Sequence, residues 1–317
     1  MFRMTVGGGG SVGLAVAASF AQCGAAVTLL TRRPSTEALA REALTITGKL
    51  GEHSIPPGAF ALGDAAVPPD AARYCDVLVV TTKAHDLAEA LRPFAGGDWR
   101  GPRAVLLMQN GLGSAEVARA VLGPAVPVFS ATMYIGMQRH GLTSVAVNAA
   151  SSPVMMGSLL GDDIAPLAAL FEAAPRGFLP VAHAPEIRDV VLTKLLFNTC
   201  MNPTGALTGR SYGELLENAH SRALIERLAQ ETLDTYAAAF AFRPPPDGPG
   251  FVRDTPFPVV FPRSAPHWSS MVQDLEAGRR TEIDVLNGAI LRLDAAHGVA
   301  TPCHATIVDL IRAREPG

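Results

Sequence analysis

MTVGGGGSVGLAVAASFAQCGAAVTLLTRR, residues 4–33, is the stretch on which the fold of this chain turns. It reads as a short apolar strand from Met4 to Val6, four glycines, a helix of small residues ending at Gly24, and a second β-rich run, Ala26 to Leu30. Strand, glycine turn, helix and strand fit within the roughly 30 residues of one βαβ unit. Gly8, Gly10 and Gly13 supply G-x-G-x-x-G in that context, with Ser11 and Val12 between the last two. In such a motif the first glycine permits the tight turn and the second lets backbone N–H groups approach a pyrophosphate. The third lets helix and sheet pack closely. A plain flexible turn has the same glycines, but the flanking strand and helix favour dinucleotide binding.

The end of the second strand separates cofactors. Sites for NAD commonly place Asp or Glu about 20 residues past the motif, where it accepts from the ribose 2′-hydroxyl. Here the chain reads Thr31, Arg32, Arg33. Two guanidiniums in place of a carboxylate suit the 2′-phosphate of NADPH, the alternative being two solvated surface arginines.

Further strands are expected at DVLVVTTK (76–83) and AVLLMQNG (104–111), each followed by a helical pattern. Ligands of open α/β sheets sit at the carboxyl ends of strands, which places Lys83 and Asn110 toward a cofactor. A loop cation and an Asn-Gly turn account for them equally well. From Val126 to Gly157 shorter alternating runs read as antiparallel strands extending the same sheet. The helix IAPLAALFEAA and the return strand GFLPVAHA then complete this half.

After Pro185 the pattern turns helical: EIRDVVLTKLLFNTCMNP, SRALIERLAQETLDTYAAAFA, EIDVLNGAILRLDAAHG and CHATIVDLIRA, the last with Thr301 as N-cap and Pro302 at the first helical position. The expected division is therefore residues 1–184 and 185–317. The proline-rich stretch 242–268 is not expected to hold regular helix, and composition leaves open whether it is a surface loop or borders a cleft.

The 317 residues, 48% hydrophobic, suffice for two cores. A net charge of -3 gives no basic excess for nucleic acid or an anionic membrane, so a small-molecule partner is expected. Cys23, Cys75, Cys200 and Cys303 lie far apart, without metal-ligand spacing, and read as core thiols in a reducing cytoplasm. Arg3 before an apolar run imitates a targeting signal, but Gly7 to Gly10 would break the continuous helix such a segment needs.

Two polar constellations stand out in the helical half. Lys194, Asn198 and Asn202 are four residues apart on an apolar helix, so their side chains form one slowly drifting stripe. A lone lysine there would read as a snorkelling cation. Two amides on the same stripe would each cost stability if buried without partners, which turns the stripe toward water or a ligand. Downstream, SSMVQDLEAGRRTEIDVLNG (269–288) carries Ser270, and Glu282 at the expected start of a helix. By spacing alone Glu282 reads as a residue complementing the helix dipole.

Taken together, GGGGSVG, TTKA (81–84), QNGLG (109–113), KLLFNTCMNP (194–203) and SMVQDLEAGRRTEID (270–284) resemble the ketopantoate reductase, or 2-dehydropantoate 2-reductase, family. The blocks stand in the family's order across nearly the whole chain; the last two are the specific ones. The resemblance implies a Rossmann-type α/β domain followed by an all-α domain like the C-terminal domain of 6-phosphogluconate dehydrogenase. It also implies NADPH-dependent reduction of ketopantoate to pantoate, on the route to pantothenate and coenzyme A.

By the same resemblance Lys194 is the general acid, Asn110 lies near nicotinamide and substrate, and Asn198 and Asn202 line the substrate site. Ser270 holds the substrate carboxylate and Glu282 accepts from its terminal hydroxyl. Arg32 contacts the 2′-phosphate, while Gly8, Gly10, Ser11, Val12, Gly13 and Lys83 serve the cofactor. A homodimer remains open. The chain departs from the family at NPTGAL, where Thr204 and Gly205 are expected to loosen the helix past Asn202, and in the richness of its proline segment. A reductase of another branched 2-keto acid and a non-catalytic NADP(H)-binding sensor are the rival readings.

Overall fold

The computed structural model describes residues 2–69, 72, 74–95, 104–173, 177–240, 242, 247–254 and 265–316. The chain forms two compact units. The first comprises Met1–Gln109 and Ser114–Arg188, and the second Asn110–Gly113 and Asp189–Gly317.

Among the described residues of the first unit there are twelve strands: β1 (Arg3–Gly7), β2 (Ala26–Thr31), β3 (Leu44–Gly48), β4 (His53–Ile55), β5 (Ala61–Asp64), β6 (Val77–Val80), β7 (Ala104–Leu107), β8 (Val128–Thr132), β9 (Ile135–His140), β10 (Ser144–Ala150), β11 (Val154–Gly157) and β12 (Val181–His183). The main sheet runs β12-β11-β8-β7-β6-β1-β2-β5. Every pair from β5 to β8 is parallel. Strands β6 and β7, VLVV and AVLL, are buried at every position, as expected of parallel strands covered on both faces. Sheet order reverses at β1, so the turn after β1 and the turn after β6 flank the topological switch point.

The expectation that residues 126–157 extend this sheet as antiparallel strands is corrected in two places. Strand β8 joins parallel to β7, and only β11 adds antiparallel. Strands β9 and β10 leave the sheet altogether and form a second one, β4-β3-β10-β9, in which β10 pairs parallel with β3. Alternation of apolar and polar residues specifies a half-buried strand but carries no information on which partner it pairs with. Here Val145 and Val147 of β10 share one apolar cluster with Leu44 and Ile46 of β3.

Described helices of the second unit are Ile187–Thr208, which begins two residues before the unit boundary, Tyr212–Glu217, Ala219–Phe240, Gly248–Asp254, Ser270–Glu276, Asn287–His297 and Pro302–Arg312. Three expectations change here. The segment after Asn202 does not loosen: the helix continues through Pro203 to Thr208. Proline has no N–H to offer the carbonyl four residues earlier, which is that of Thr199. Asn287 Nδ2 donates to that carbonyl at 2.9 Å instead. Asn287 Nδ2 also donates to His304 Nδ1 at 3.0 Å, and His304 Nε2 donates to Leu228 O at 3.1 Å. Burial holds the His304 imidazole down to about 4, so it is neutral, and these contacts fix its proton on Nε2.

Glu282 does not open a helix. It begins a turn, with Val285 N and Leu286 N donating to Glu282 O at 3.1 Å, and the helix starts at Asn287. Within the proline-rich stretch, Gly248–Asp254 is helical, against expectation. A Cβ at Gly248 would lie 2.1 Å from Glu226 O, so glycine there allows this helix to sit directly on Ala219–Phe240. Residues 243–246 and 255–264 of the stretch lie outside the described residues. Thr301 is the N-cap residue, but its hydroxyl donates to Asp294 Oδ2 at 2.8 Å. The Glu231 carboxylate caps that helix instead, accepting from Cys303 N at 2.9 Å and His304 N at 3.1 Å. Among the described residues no helix is long and apolar enough to cross a membrane.

Candidate active site

In the first unit the glycine loop connects β1 to the helix Ser11–Gln22. Gly8 N donates to Leu30 O at 3.0 Å, tying the loop to β2. Thr81 Oγ1, just past β6, lies 3.2 Å from Gly7 O and 3.1 Å from Gly8 O. A Cβ on Gly13 would come within 1.9 Å of Gly8 O and 2.5 Å of Thr81 Oγ1, so only glycine closes this turn. Gly10 is the N-cap of the helix and makes no side-chain cap, and a Cβ there would meet nothing within 4 Å. With no acidic residue in the first turn, the helix end presents N–H groups and the positive end of its dipole, which suits a phosphate. Ser11 opens the helix, and Val12 packs half-buried against the core.

The carboxyl edges of β6 and β7 fit a polar ligand too. Gln109 Nε2 donates to Val80 O at 3.0 Å and Thr82 O at 2.9 Å. Thr82 Oγ1, Gln109 Oε1 and Ser114 Oγ are buried without protein partners, atoms that a dinucleotide's hydroxyl, amide and phosphate groups can satisfy. Lys83 is half-buried at the head of the short turn Ala84–Asp86. At the end of β2 the two arginines divide. Arg33 pairs with Glu37 at 2.8 Å, both exposed, whereas Arg32 is exposed and, among the described residues, in no ion pair.

The second unit gathers a different set. Lys194, Asn198 and Asn202 lie on the helix Ile187–Thr208, Lys194 half-buried and the amides 7% and 4% exposed. Burial brings the Lys194 ammonium down to about 8, and the Glu282 carboxylate opposes that shift by holding the proton on. Glu282 is itself only 7% exposed. Its Oε2 accepts from Asn110 Nδ2 at 3.2 Å across 172 residues of sequence. Asn110 reaches it because Asn110–Gly113 lies on the turn after Glu282. Leu112 N donates to Val285 O at 3.2 Å, and Gly111, at φ +85°, would bring a Cβ within 2.1 Å of the same oxygen. A glycine is required there on both counts.

The structure therefore brings Lys194, Glu282 and Asn110 together. Asn202 is partly committed: Tyr212 Oη donates to its Oδ1 at 2.9 Å, and Ser269 Oγ donates to its backbone oxygen at 3.3 Å. Ser269 also caps the helix Ser270–Glu276, accepting from Val272 N at 3.3 Å, and so sets the position of Ser270, which is exposed. Sequence reasoning passed over Thr81, Gln109 and Tyr212. The first two stood inside the quoted TTKA and QNGLG blocks; for Tyr212, ten residues past Asn202, no motif gave a signal.

The family described as ketopantoate reductase PanE/ApbA matches residues 4–161, and its C-terminal part, ketopantoate reductase PanE/ApbA C terminal, matches residues 186–315. The 2-dehydropantoate 2-reductase of Halobacterium salinarum is 30% identical over 319 residues, covering 98% of each chain. A solved PanE/ApbA family ketopantoate reductase from Ralstonia eutropha JMP134 superposes with a TM-score of 0.80 at 25% identity, over 99% of this chain and 98% of that one. D-mandelate dehydrogenase, solved with NADH and anilino(oxo)acetate, has a TM-score of 0.82 at 21% identity over 99% and 98%, a likeness of fold alone.

Proposed function

The chain belongs to the ketopantoate reductase family, and from that premise we propose that it reduces the C2 ketone of 2-dehydropantoate to pantoate with NADPH, a cytoplasmic step toward coenzyme A. The observation that carries the reading is a buried ammonium on the helix Ile187–Thr208, brought to about 8 by burial and set against the Glu282 carboxylate. A ketone that accepts hydride becomes an alkoxide, and an ammonium held against it stabilises the developing charge and donates the proton. A reduced nicotinamide, when bound, supplies the hydride. Every other role falls to backbone and side-chain groups of this protein.

Glu282 does two things in this reading. It keeps Lys194 protonated near neutral pH, and it accepts from the hydroxyl at the far end of the substrate. Asn110 donates to one of its oxygens, and a carboxylate offers about four lone-pair sites, so a second donor is accommodated. Asn198 and Asn202 line the substrate, and Ser270 donates to its carboxylate. On the cofactor side, the loop from Gly8 to Gly13 with Ser11 and Val12 takes the pyrophosphate, Lys83 and Asn110 adjoin the nicotinamide half, and Arg32 takes the 2′-phosphate. The uncommitted guanidinium of Arg32 is what supports NADPH over NADH.

The test is NADPH oxidation with 2-dehydropantoate and with 2-ketoisovalerate, which lacks the distal hydroxyl, on the native enzyme and on Glu282→Ala. A preference for 2-dehydropantoate that Glu282→Ala abolishes is expected. Equal kcat/KM for both acids on the native enzyme would instead assign another branched 2-keto acid.

A further inference from the structure

One guanidinium in the first unit belongs to no motif and joins the glycine loop to the helix that follows β2. Arg139 lies on β9, in the second sheet. Its Nη1 donates to Gly9 O at 2.5 Å, inside the glycine loop. Its Nη2 donates to Ser35 Oγ and to Leu142 O, both at 2.9 Å. Ser35 is buried, three residues past Arg32, in the helix that follows β2. Gly9 itself lies against the end of β2, since a Cβ there would fall 2.0 Å from Thr31 Oγ1. The glycine loop and the first turn of the helix that follows the Thr31-Arg32 corner are thus fastened to a single side chain.

The charge at this corner is unbalanced. Among the described residues neither Arg32 nor Arg139 forms an ion pair with a carboxylate, while neighbouring Arg33 is engaged by Glu37. Burial lowers the Arg139 guanidinium from its ordinary value, and the nearby charge of Arg32 lowers it further. Two like charges held close repel unless an anion sits with them, and a phosphate dianion offsets that repulsion where a ribose hydroxyl does not.

We propose that Arg139 is the second cation of the 2′-phosphate subsite, and that it also positions the subsite by fastening the glycine loop to the segment carrying Arg32. Three of its five N–H groups are engaged with Gly9, Ser35 and Leu142, so its effect on the phosphate is exerted mainly as charge. The inference rests on the glycine loop being an NADPH site, and it goes further by naming a selectivity residue from a different sheet.

The experiment is calorimetric binding of adenosine 2′,5′-bisphosphate and of 5′-AMP at fixed ionic strength, which needs no turnover. Arg139→Met should weaken the bisphosphate by about tenfold or more and 5′-AMP by less than about threefold. Arg139→Lys, which keeps the charge and loses the fork, should retain most of the preference. Ser35→Ala, a milder change that leaves both arginines in place, should weaken the bisphosphate a few fold.

Equal weakening of both ligands by Arg139→Met would reduce Arg139 to a purely structural residue and overturn the proposal. So would a preference lost as fully in Arg139→Lys, or unaltered bisphosphate affinity in Ser35→Ala. Those results leave the NADPH reading standing. A native protein that binds both nucleotides alike would sink the NADPH reading itself, and this proposal with it.

Discussion

In the first unit the candidate site is set largely by main chain, whereas in the second it is set by side chains that reach one another over long stretches of sequence. The glycine loop is closed by contacts that exclude a Cβ at Gly13, and its neighbours are strand ends fixed by a parallel ladder. Lys194, Glu282 and Asn110 have no such ladder. They depend on a helix, a turn and a four-residue segment contributed from the first half of the chain. Backbone sites tolerate changes in most surrounding side chains. Sites made of side chains are lost one group at a time, and each loss has its own signature.

Removing Lys194 tests that contrast with the largest effect. Lys194→Ala should lower kcat for keto acid reduction by about 10²–10⁴-fold while leaving nucleotide affinity unchanged by calorimetry. A native protein that binds NADPH without turning over any 2-keto acid would favour the non-catalytic sensor. Loss of nucleotide binding along with rate in Lys194→Ala would erase the division between the units.

Next in size, Asn287→Ala should cost roughly 2–4 kcal/mol in urea unfolding, because the Thr199 carbonyl and His304 Nδ1 both lose their donor in a buried place. An unchanged midpoint would mean that the helix through Pro203 does not depend on that amide. Arg32→Ala should raise KM for NADPH by about 10–100-fold and alter KM for NADH little, since it removes one charge-assisted contact to phosphate. Equal effects on the two would remove the case for NADPH.

The smallest expected effect is a displaced pH profile. A general acid works only while protonated, and Lys194 is held at about 8, so kcat/KM for reduction should fall as pH rises through that region. Glu282 raises the Lys194 value, so Glu282→Gln should move the falling limb to lower pH. A limb that stays in place would point to another proton donor.

The legible and illegible parts of the molecule differ by how far their causes lie apart in sequence. The βαβ start, the parallel strands β6 and β7 and the glycine loop were readable because each is governed by a few adjacent residues. The stripe of Lys194, Asn198 and Asn202 was readable as a shared face for the same reason. The partners of that face were not. Asn202 meets Tyr212 through a turn that no periodicity marks, and the helix reads as loosening at Thr204 and Gly205, whereas in the fold Asn287, 84 positions past Pro203, takes the carbonyl that the proline frees. The alternation in β9 and β10 announced strands and left their sheet undetermined, since any exposed edge of matching register satisfies the same pattern.

By itself the sequence determined the class of fold, the family resemblance and the residue types available for chemistry, because local backbone preference, hydrophobic period and short motifs are properties of neighbours. Only the tertiary structure decided which of those residues share an environment. It seats Asn110 on Glu282, sets Glu282 against Lys194, and brings Arg139 from a second sheet onto Gly9 and Ser35. The physical reason is that burial and electrostatic coupling depend on distance in space, and a carboxylate 88 residues from a lysine alters its proton affinity only once the chain has folded them together.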